Sequence, residues 1–364
     1  MPDTIDNSND QETVTEHLLK GGTSFRPDHY LYRVLQPGQD FLEEDGFKTY
    51  GQMVAKIKAN GKRVILSVGE SSTSGWDTSI SPVNRERKAK GLLPISAFFR
   101  YKNFTDMLRD RVGDEFEVVN AGIPGHTALS GIRRLKMLQK RFARDGIVPS
   151  YVLIHYGNND SLWEANLQDK KHLRLHLHSP AVVEKFRNWR HKRVPDQMVL
   201  RSTVGDFGQY FLQMINYARK IGAPPIIVQP EIPIYWKPGS RFVDFDFDQL
   251  ATKPGAKIAL AKLAEAHDIW ESVIDKPYSE QKIQALEKAA ELDFLVPRIK
   301  RPYLQELQRV ARATQTPLIQ TPVPRDEDEA NYFIDYCHPR ENVNKRIASM
   351  IVDHMHTYEK NPRQ

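Results

Sequence analysis

Four short polar blocks follow one another along the chain, and each contains residue types that serve in nucleophilic catalysis. The first block, Gly69–Gly75, places Ser71 directly after an apolar run. A serine on a strand-to-helix turn projects its hydroxyl out of the sheet, and a flanking glycine allows the turn to be tight. Taken alone, Ser71 is more readily interpreted as a helix N-cap, so this block by itself is weak evidence for a nucleophile.

The next two blocks carry groups that can stabilise a developing negative charge. Asn120–Gly125 contains Gly122, whose backbone N–H can approach a ligand oxygen. Gly157–Asp160 contains Asn159, whose side-chain amide can donate to an oxyanion. Each block is also compatible with an ordinary loop, the second of them as an Asx turn.

The fourth block, Asp335–Pro339, contains a carboxylate and an imidazole three positions apart. On a loop, Asp335 and His338 can lie side by side, so that the carboxylate orients the ring. An isolated Asp-x-x-His pair is more often a pair of surface residues. Cys337 precedes His338 directly, and since neighbouring loop side chains usually point apart, we expect Cys337 to be a small buried apolar group and not a nucleophile.

Alternating strands and helices must position these blocks. Apolar runs predict strands at 64–68, 116–120, 151–155, 225–228 and 318–319. Helical periodicity predicts helices at 50–60, 101–112, 128–144, 207–221, 255–274, 279–292, 304–314 and 341–358. Strands separated by helices of this length indicate a parallel sheet covered on both faces. Reactive residues of such a sheet lie at the carboxyl ends of its strands.

The order of the four blocks resembles the SGNH (GDSL-like) hydrolase family. Its pattern is Gly-Asp-Ser, then Asn-x-Gly-x-x-Gly, then Gly-x-Asn-Asp, then Asp-x-x-His near the carboxyl terminus, and the resemblance spans roughly residues 62–355. It implies an α/β fold, a flavodoxin-like three-layer α/β/α sandwich with a parallel sheet of about five strands. Large insertions make the chain similar to an enlarged bacterial-type member.

The same resemblance implies roles for individual residues. Ser71 is the expected nucleophile, His338 the base and Asp335 its orienting partner. The N–H groups of Ser71 and Gly122 and the side chain of Asn159 form the expected oxyanion hole. Glu70 stands where the family has aspartate. Because that side chain only supports the turn in the family, we expect the activity to survive the extra methylene.

The resemblance and the composition together predict a domain organisation. We expect an N-terminal arm at 1–45, a hydrolase domain at 46–358 and a tail at 359–364. Two insertions interrupt the domain, a basic lid at 161–200 and a helical cap at 236–296, and both should lie above the active face. Candidates for lining the substrate pocket are Trp163 and His126, although His126 is also placed to cap the helix at 128.

Composition limits the class of protein. The chain has 364 residues, of which 40% are hydrophobic and 27% charged, values typical of a soluble globular protein. Apolar runs are strand-sized, so no membrane span is expected. Met1–Glu16 does not have the pattern of a secretory signal, and Cys337 is the single cysteine, which excludes an internal disulfide. We therefore expect a cytoplasmic protein.

The formal net charge of +6 is concentrated in places, since the segment 161–200 has eight Lys or Arg residues against four acidic residues. A solvated face is the more common reason for such a segment, and attraction of an anionic substrate or a membrane surface is the alternative. His172, His176 and His178 have poor spacing for metal ligands. We expect no metal, no cofactor and no nucleic acid, and a small-molecule or carbohydrate-linked ester as substrate.

Three functions stay open at this level. The first is an esterase or deacylase that passes its acyl group from Ser71 to water. The second is an O-acyltransferase that uses the same serine and passes the acyl group to an acceptor alcohol. The third is a catalytically inactive binding protein on the same fold, against which the complete set of catalytic residue types argues. The sequence does not indicate an oligomeric state.

Overall fold

A computed structural model of the chain describes residues 25–28, 32–35, 41, 49–75, 102–165, 198–239, 256–321 and 331–360. The strands are β1 (Phe25–Asp28), β2 (Tyr32–Leu35), β3 (Arg63–Gly69), β4 (Phe116–Asn120), β5 (Tyr151–His155), β6 (Trp163–Ala165), β7 (Met198–Leu200), β8 (Pro225–Val228) and β9 (Leu318–Ile319). The helices are α1 (Tyr50–Asn60), α2 (Ser71–Ser74), α3 (Phe104–Val112), α4 (Ala128–Asp145), α5 (Val204–Lys220), α6 (Ala256–Val273), α7 (Glu280–Leu292), α8 (Arg301–Ala313) and α9 (Glu341–Lys360).

The centre of the fold is a five-stranded parallel sheet in the order β4-β3-β5-β8-β9. Counted along the chain, these strands lie in the order 2-1-3-4-5, which is the flavodoxin-like order. All five are the strands that the apolar runs predict. The prediction is confirmed because these runs are buried from both sides, as strands inside an α/β sheet must be.

Helices cover both faces of the sheet, which confirms the three-layer α/β/α sandwich. On one face, the helices α1, α4, α5 and α8 pack in a single apolar cluster with Leu66 of β3 and Ile154 of β5. On the other face, α3 and α9 pack with Ile65 of β3 and Leu153 of β5. Neighbouring strand residues thus point to opposite cores, and the strands are held in register from both sides.

The polar residues at two helix ends account for the helix boundaries. Helix α1 begins in a capping box between Thr49 and Gln52 and ends at Gly61, which has a left-handed φ of 63°. That end agrees with the predicted stop. The helix predicted at 101–112 begins instead at Phe104, because the side chain of Asn103 accepts the N–H of Thr105 at 3.0 Å and caps the helix there.

Both predicted insertions have described parts. The predicted basic lid begins and ends in a small antiparallel ribbon in which β6 pairs with β7, while residues 166–197, with the three histidines, lie outside the described residues. The predicted helical cap contains α6 and α7, which pack against each other. Within the predicted arm, β1 pairs with β2. No helix in the described part of the chain combines the length and the apolar character needed to cross a membrane.

Candidate active site

Ser71 lies at the carboxyl end of the first sheet strand, β3, where the chain turns into the short helix α2. Its turn needs Gly69, because a Cβ there would overlap the side chain of Thr73 and lie 2.9 Å from the carbonyl oxygen of His155. Glu70 occupies the N-cap position, and Ser71 is the first helical residue. The simple interpretation of Ser71 as an N-cap is therefore wrong. Its backbone N–H, at the start of a helix, has no partner inside the helix.

Asp335 and His338 form a buried pair on the loop before α9. The carboxylate Oδ2 of Asp335 lies 2.7 Å from Nδ1 of His338, and Oδ1 lies 2.9 Å from it. The same Oδ1 accepts the backbone N–H groups of Cys337 and His338, each at 2.9 Å. Because Nδ1 faces a carboxylate, it carries the proton in the neutral ring, and Nε2 carries the lone pair that a base needs.

The loop that carries this pair lies directly against α2. The hydroxyl of Ser72 donates to the carbonyl oxygen of Cys337 at 3.2 Å, across a sequence separation of 265 residues. The loop of His338 and the helix that begins with Ser71 are thus in direct contact. The hydrogen bond between the Ser71 hydroxyl and the His338 imidazole stays a prediction.

Cys337 is buried, as predicted, but its side chain does not point away from His338. Its Sγ lies 3.5 Å from Nδ1 of the imidazole. The expectation that neighbouring side chains diverge is wrong here, because Asp335 binds two successive N–H groups and curls the backbone around its carboxylate. Burial, followed by the negative charge of Asp335, raises the pKa of the Cys337 thiol well above its usual range, so the thiol is protonated and a poor nucleophile.

The same three side chains are the metal-compatible group found among the described residues. The ligand atoms of Asp335, Cys337 and His338 all lie within 4.8 Å of one another. A metal ion needs the thiolate and the Nδ1 lone pair. The contact of both Asp335 oxygens with Nδ1 of His338, and the backbone bonds of Oδ1, instead favour a hydrogen-bonded carboxylate–imidazole pair at this position.

Glu70 connects the first block to the third. Its Oε1 accepts the N–H of Asn158 at 3.0 Å, and its Oε2 accepts the N–H of Asn159 at 3.1 Å and the side-chain Nδ2 of Asn159 at 2.6 Å. The carboxyl is completely buried, and this burial raises its pKa to about 7, against the three hydrogen bonds and the charge of His338, which lower it. The expected supporting role of this side chain is confirmed.

The predicted oxyanion donors surround α2. Gly122 packs so closely on this helix that a Cβ would lie 2.6 Å from the backbone nitrogen of Ser74. The N–H of Gly122 donates to Oδ1 of Asn120 at 3.0 Å, and Asn159 donates one of its amide hydrogens to Glu70. Asn159 keeps a second amide hydrogen for another acceptor. A role of Gly122 in an oxyanion hole requires its hydrogen to be shared, and that role stays a prediction.

The two predicted pocket residues have different positions. His126 is completely buried, and the N-cap position of α4 is Thr127, not His126. The side chain of Thr127 makes no capping bond, and the first helical N–H, that of Ala128, donates to the carboxylate of Asp160 at 3.0 Å. Trp163 lies in β6, but its side chain is outside the described residues. Their contact with a substrate stays a prediction.

Sequence reasoning missed His155, which lies at the end of β5 beneath the nucleophile turn. Its Nδ1 is 3.0 Å from the hydroxyl of Thr73 in α2. Burial, followed by the charge of His338, lowers the pKa of His155 to about 3, so the ring is neutral and serves as a hydrogen-bonding group. The available signal was a histidine at the end of an otherwise apolar strand.

Comparisons with known proteins were made by sequence and by structure. No family model matches the sequence, and no curated protein matches it. Among solved structures, a GDSL-like lipase from Bacteroides thetaiotaomicron is 12% identical, with 86% of this chain and 98% of that chain covered and a TM-score of 0.40. A carbohydrate acetylesterase family member from Sinorhizobium meliloti is 13% identical, with 80% and 98% covered and a TM-score of 0.39.

A psychrotrophic esterase from Pseudoalteromonas sp. is 12% identical, with 82% of this chain and all of that chain covered and a TM-score of 0.37. The solved structures that the chain resembles thus include GDSL-like lipases and esterases. At these identities and TM-scores, the chemistry of the site rests on its own residues.

Proposed function

We propose that the protein is a serine ester hydrolase, an esterase or deacylase, in which Ser71 is acylated by the substrate. The observation that carries this proposal is the buried Asp335–His338 pair on a loop hydrogen-bonded to the helix that begins with Ser71. A serine hydroxyl is a poor nucleophile at neutral pH and needs a base beside it. Here the base and its orienting carboxylate come from one loop, and the nucleophile comes from the end of a sheet strand.

The reaction follows the geometry in two halves. In the first half, Nε2 of His338 takes the proton of Ser71 as its oxygen attacks the ester carbonyl, and Asp335 stabilises the imidazolium. The oxyanion is stabilised by the N–H groups of Ser71 and Gly122 and by the amide of Asn159. His338 then gives its proton to the leaving alcohol. In the second half, water attacks the acyl-serine while His338 takes its proton. His338 then returns that proton to the Ser71 oxygen as the bond to the acyl group breaks and the acid product leaves.

The proposed substrate is a small-molecule or carbohydrate-linked ester. The basic segment 161–200 also favours an anionic group on it, through long-range attraction. If this attraction operates, added salt raises the KM of an anionic ester more than that of a neutral ester with the same acyl group.

Covalent labelling tests the nucleophile directly. We expect a fluorophosphonate probe to add one mass equivalent to the protein and peptide mapping to place that mass on Ser71. The Ser71→Ala variant should take up no label and hydrolyse p-nitrophenyl acetate several orders of magnitude more slowly. Ser349→Ala is the matched control, because Ser349 lies on an exposed part of α9 and bonds only within that helix. Near-normal hydrolysis by Ser71→Ala would sink the proposal.

A further inference from the structure

The loop that follows β8 is held in place by the helical cap. Residues Pro230–Gly239 continue from the carboxyl end of a sheet strand, the end at which Ser71 also lies. Side chains of the cap and of the segment behind it bind this loop at several points. The bonds run from Arg298 Nη1 to Pro233 O at 2.7 Å, from Trp270 Nε1 to Tyr235 O at 3.0 Å, and from Gly239 N to Asp293 Oδ2 at 2.9 Å.

The loop carries Trp236 against the residues around His338. Trp236 packs on an apolar cluster of Val296, Tyr336 and Cys337, whose exposed fractions are 1%, 2% and 5%. Trp236 itself is only partly buried, whereas the cluster that it packs against is closed. Cys337 contacts His338, with Sγ 3.5 Å from the imidazole Nδ1. A partly exposed aromatic side chain therefore packs on the cluster that contains Cys337, the residue next to His338.

We propose that Trp236 determines specificity by packing against a ring in the alcohol portion of the ester. This inference rests on the proposed function. His338 passes its proton to the leaving alcohol, so that alcohol lies on the His338 side of the site. The cluster that supports Trp236 is built on the His338 loop, and a flat indole surface there fits a partner with a flat apolar face. An aryl ring and the apolar face of a pyranose ring both have this chemistry.

The neighbouring charged side chain, Lys237, is paired within the cap, so the surface offered by Trp236 is apolar. The ammonium group of the neighbouring Lys237 pairs with Glu271 of α6 at 3.3 Å and lies 5.6 Å from the ring of Trp270, so it is engaged by the cap. Tyr336, whose ring centroid is 6.4 Å from that of His338, completes the aromatic surroundings of the imidazole. Recognition by Trp236 therefore depends on ring contact and not on charge.

The test compares three acetate esters whose alcohols differ: ethyl acetate without a ring, benzyl acetate with an aryl ring, and an acetylated methyl glucoside with a pyranose ring. For Trp236→Ala we expect the ratio of kcat/KM between a ring ester and ethyl acetate to fall about tenfold, mainly through KM. Trp236→Phe should restore most of this ratio. Tyr278→Ala, which removes an exposed aromatic side chain between α6 and α7, should leave it unchanged. The ring ester whose kcat/KM falls relative to that of ethyl acetate shows whether Trp236 packs against an aryl ring or against a sugar ring.

Other results would overturn the inference. An equal loss on all three esters would make Trp236 a structural residue of the cap, and an unchanged ratio would exclude its contact with the alcohol. If Trp236→Ala does not fold, Trp236→Leu keeps apolar volume without the ring face and must give the same loss of selectivity. Absence of hydrolysis of any ester by the wild-type protein would instead refute the proposed function, and with it the present inference.

Discussion

Replacing Asp335 by asparagine removes the negative charge of the side chain but keeps its size and shape. Oδ1 of Asp335 accepts two backbone N–H groups, from Cys337 and His338. The amide oxygen of an asparagine can accept both of these N–H groups only from the position of Oδ1. The amide nitrogen must then occupy the position of Oδ2, 2.7 Å from Nδ1 of the imidazole. Two donors cannot share that contact. Nδ1 could then keep its proton only through the 2.9 Å contact with the remaining oxygen, which already accepts two N–H groups. The tautomer with its proton on Nε2 is therefore favoured, and in it the lone pair that should take the serine proton is lost.

For Asp335→Asn we expect a large fall in the catalytic rate and a small change in the free energy of unfolding. The same tautomer change in the serine-protease triad lowers kcat about 10⁴-fold, which corresponds to about 5.5 kcal/mol of barrier. Since both backbone bonds survive in Asp335→Asn, the free energy of unfolding should change by no more than about 1.5 kcal/mol. We expect kcat/KM for p-nitrophenyl acetate to fall by this factor while the urea midpoint hardly moves.

The control and the refuting result are both simple. Asp353→Asn removes an exposed carboxylate from the surface of α9 and should leave both the rate and the stability unchanged. If Asp335→Asn retained activity within tenfold of the wild type, Nε2 would still be the basic nitrogen of His338, and the role given to the carboxylate would be wrong. A rate loss that merely follows unfolding would likewise contradict a tautomer effect.

Two further predictions concern the turn around Ser71. In Glu70→Gln, a donor amide must face N–H groups that the carboxylate accepts, including that of Asn159. We expect kcat to fall about 10- to 100-fold and the free energy of unfolding to fall by about 1–3 kcal/mol. Because burial raises the folded-state pKa of Glu70 from 4.5 to about 7, the folded state binds more protons between these values, and the wild-type free energy of unfolding should fall as pH rises from about 4.5 to about 7. Glu70→Gln should remove that slope in urea titrations, and an equal slope in both proteins would contradict the assignment. Gly69→Ala should destabilise the protein by about 2 kcal/mol or more and abolish labelling, since the new Cβ meets the carbonyl of His155. Gly51, an exposed residue of α1, has room for a Cβ, and Gly51→Ala should stabilise the protein by about 0.5–1 kcal/mol in the same unfolding assay.

The sheet could be predicted from the sequence because its strands are buried on both faces. A short apolar run such as Val64–Val68 has few possible structures other than a buried strand when predicted helices lie on either side of it. All five predicted strands are strands in the structure. Helix ends were less certain. The start of α3 is set by the side chain of Asn103, which caps the helix, whereas apolar periodicity locates a helix end only to within a few residues.

The site was predictable as a set of blocks but not as a set of contacts. The resemblance to SGNH hydrolases, carried by the order of the four blocks, implies that Ser71, Asp335 and His338 meet at the carboxyl ends of the strands. It could not reveal that Asp335 curls its loop and turns Cys337 toward the imidazole, because that depends on two backbone N–H groups sharing one oxygen. Nor could it reveal the contact of His155 with Thr73, which forms between residues 82 positions apart.

The first block contains the short helix α2 and its N-cap, and the other three blocks contact that helix or its N-cap. Glu70 accepts hydrogen bonds from the third block, and Gly122 of the second block packs against the helix backbone. Ser72 donates a hydrogen bond to the loop of His338. These contacts are buried. Those of Glu70 and Gly122 lie at the ends of sheet strands, and that of Ser72 joins α2 to the loop before α9. The predicted cap segment contacts the site at the loop of His338, where Val296 and Trp236 pack with Tyr336 and Cys337. Changes in the cap should therefore alter which ester is chosen, whereas changes around α2 should alter how fast any ester reacts.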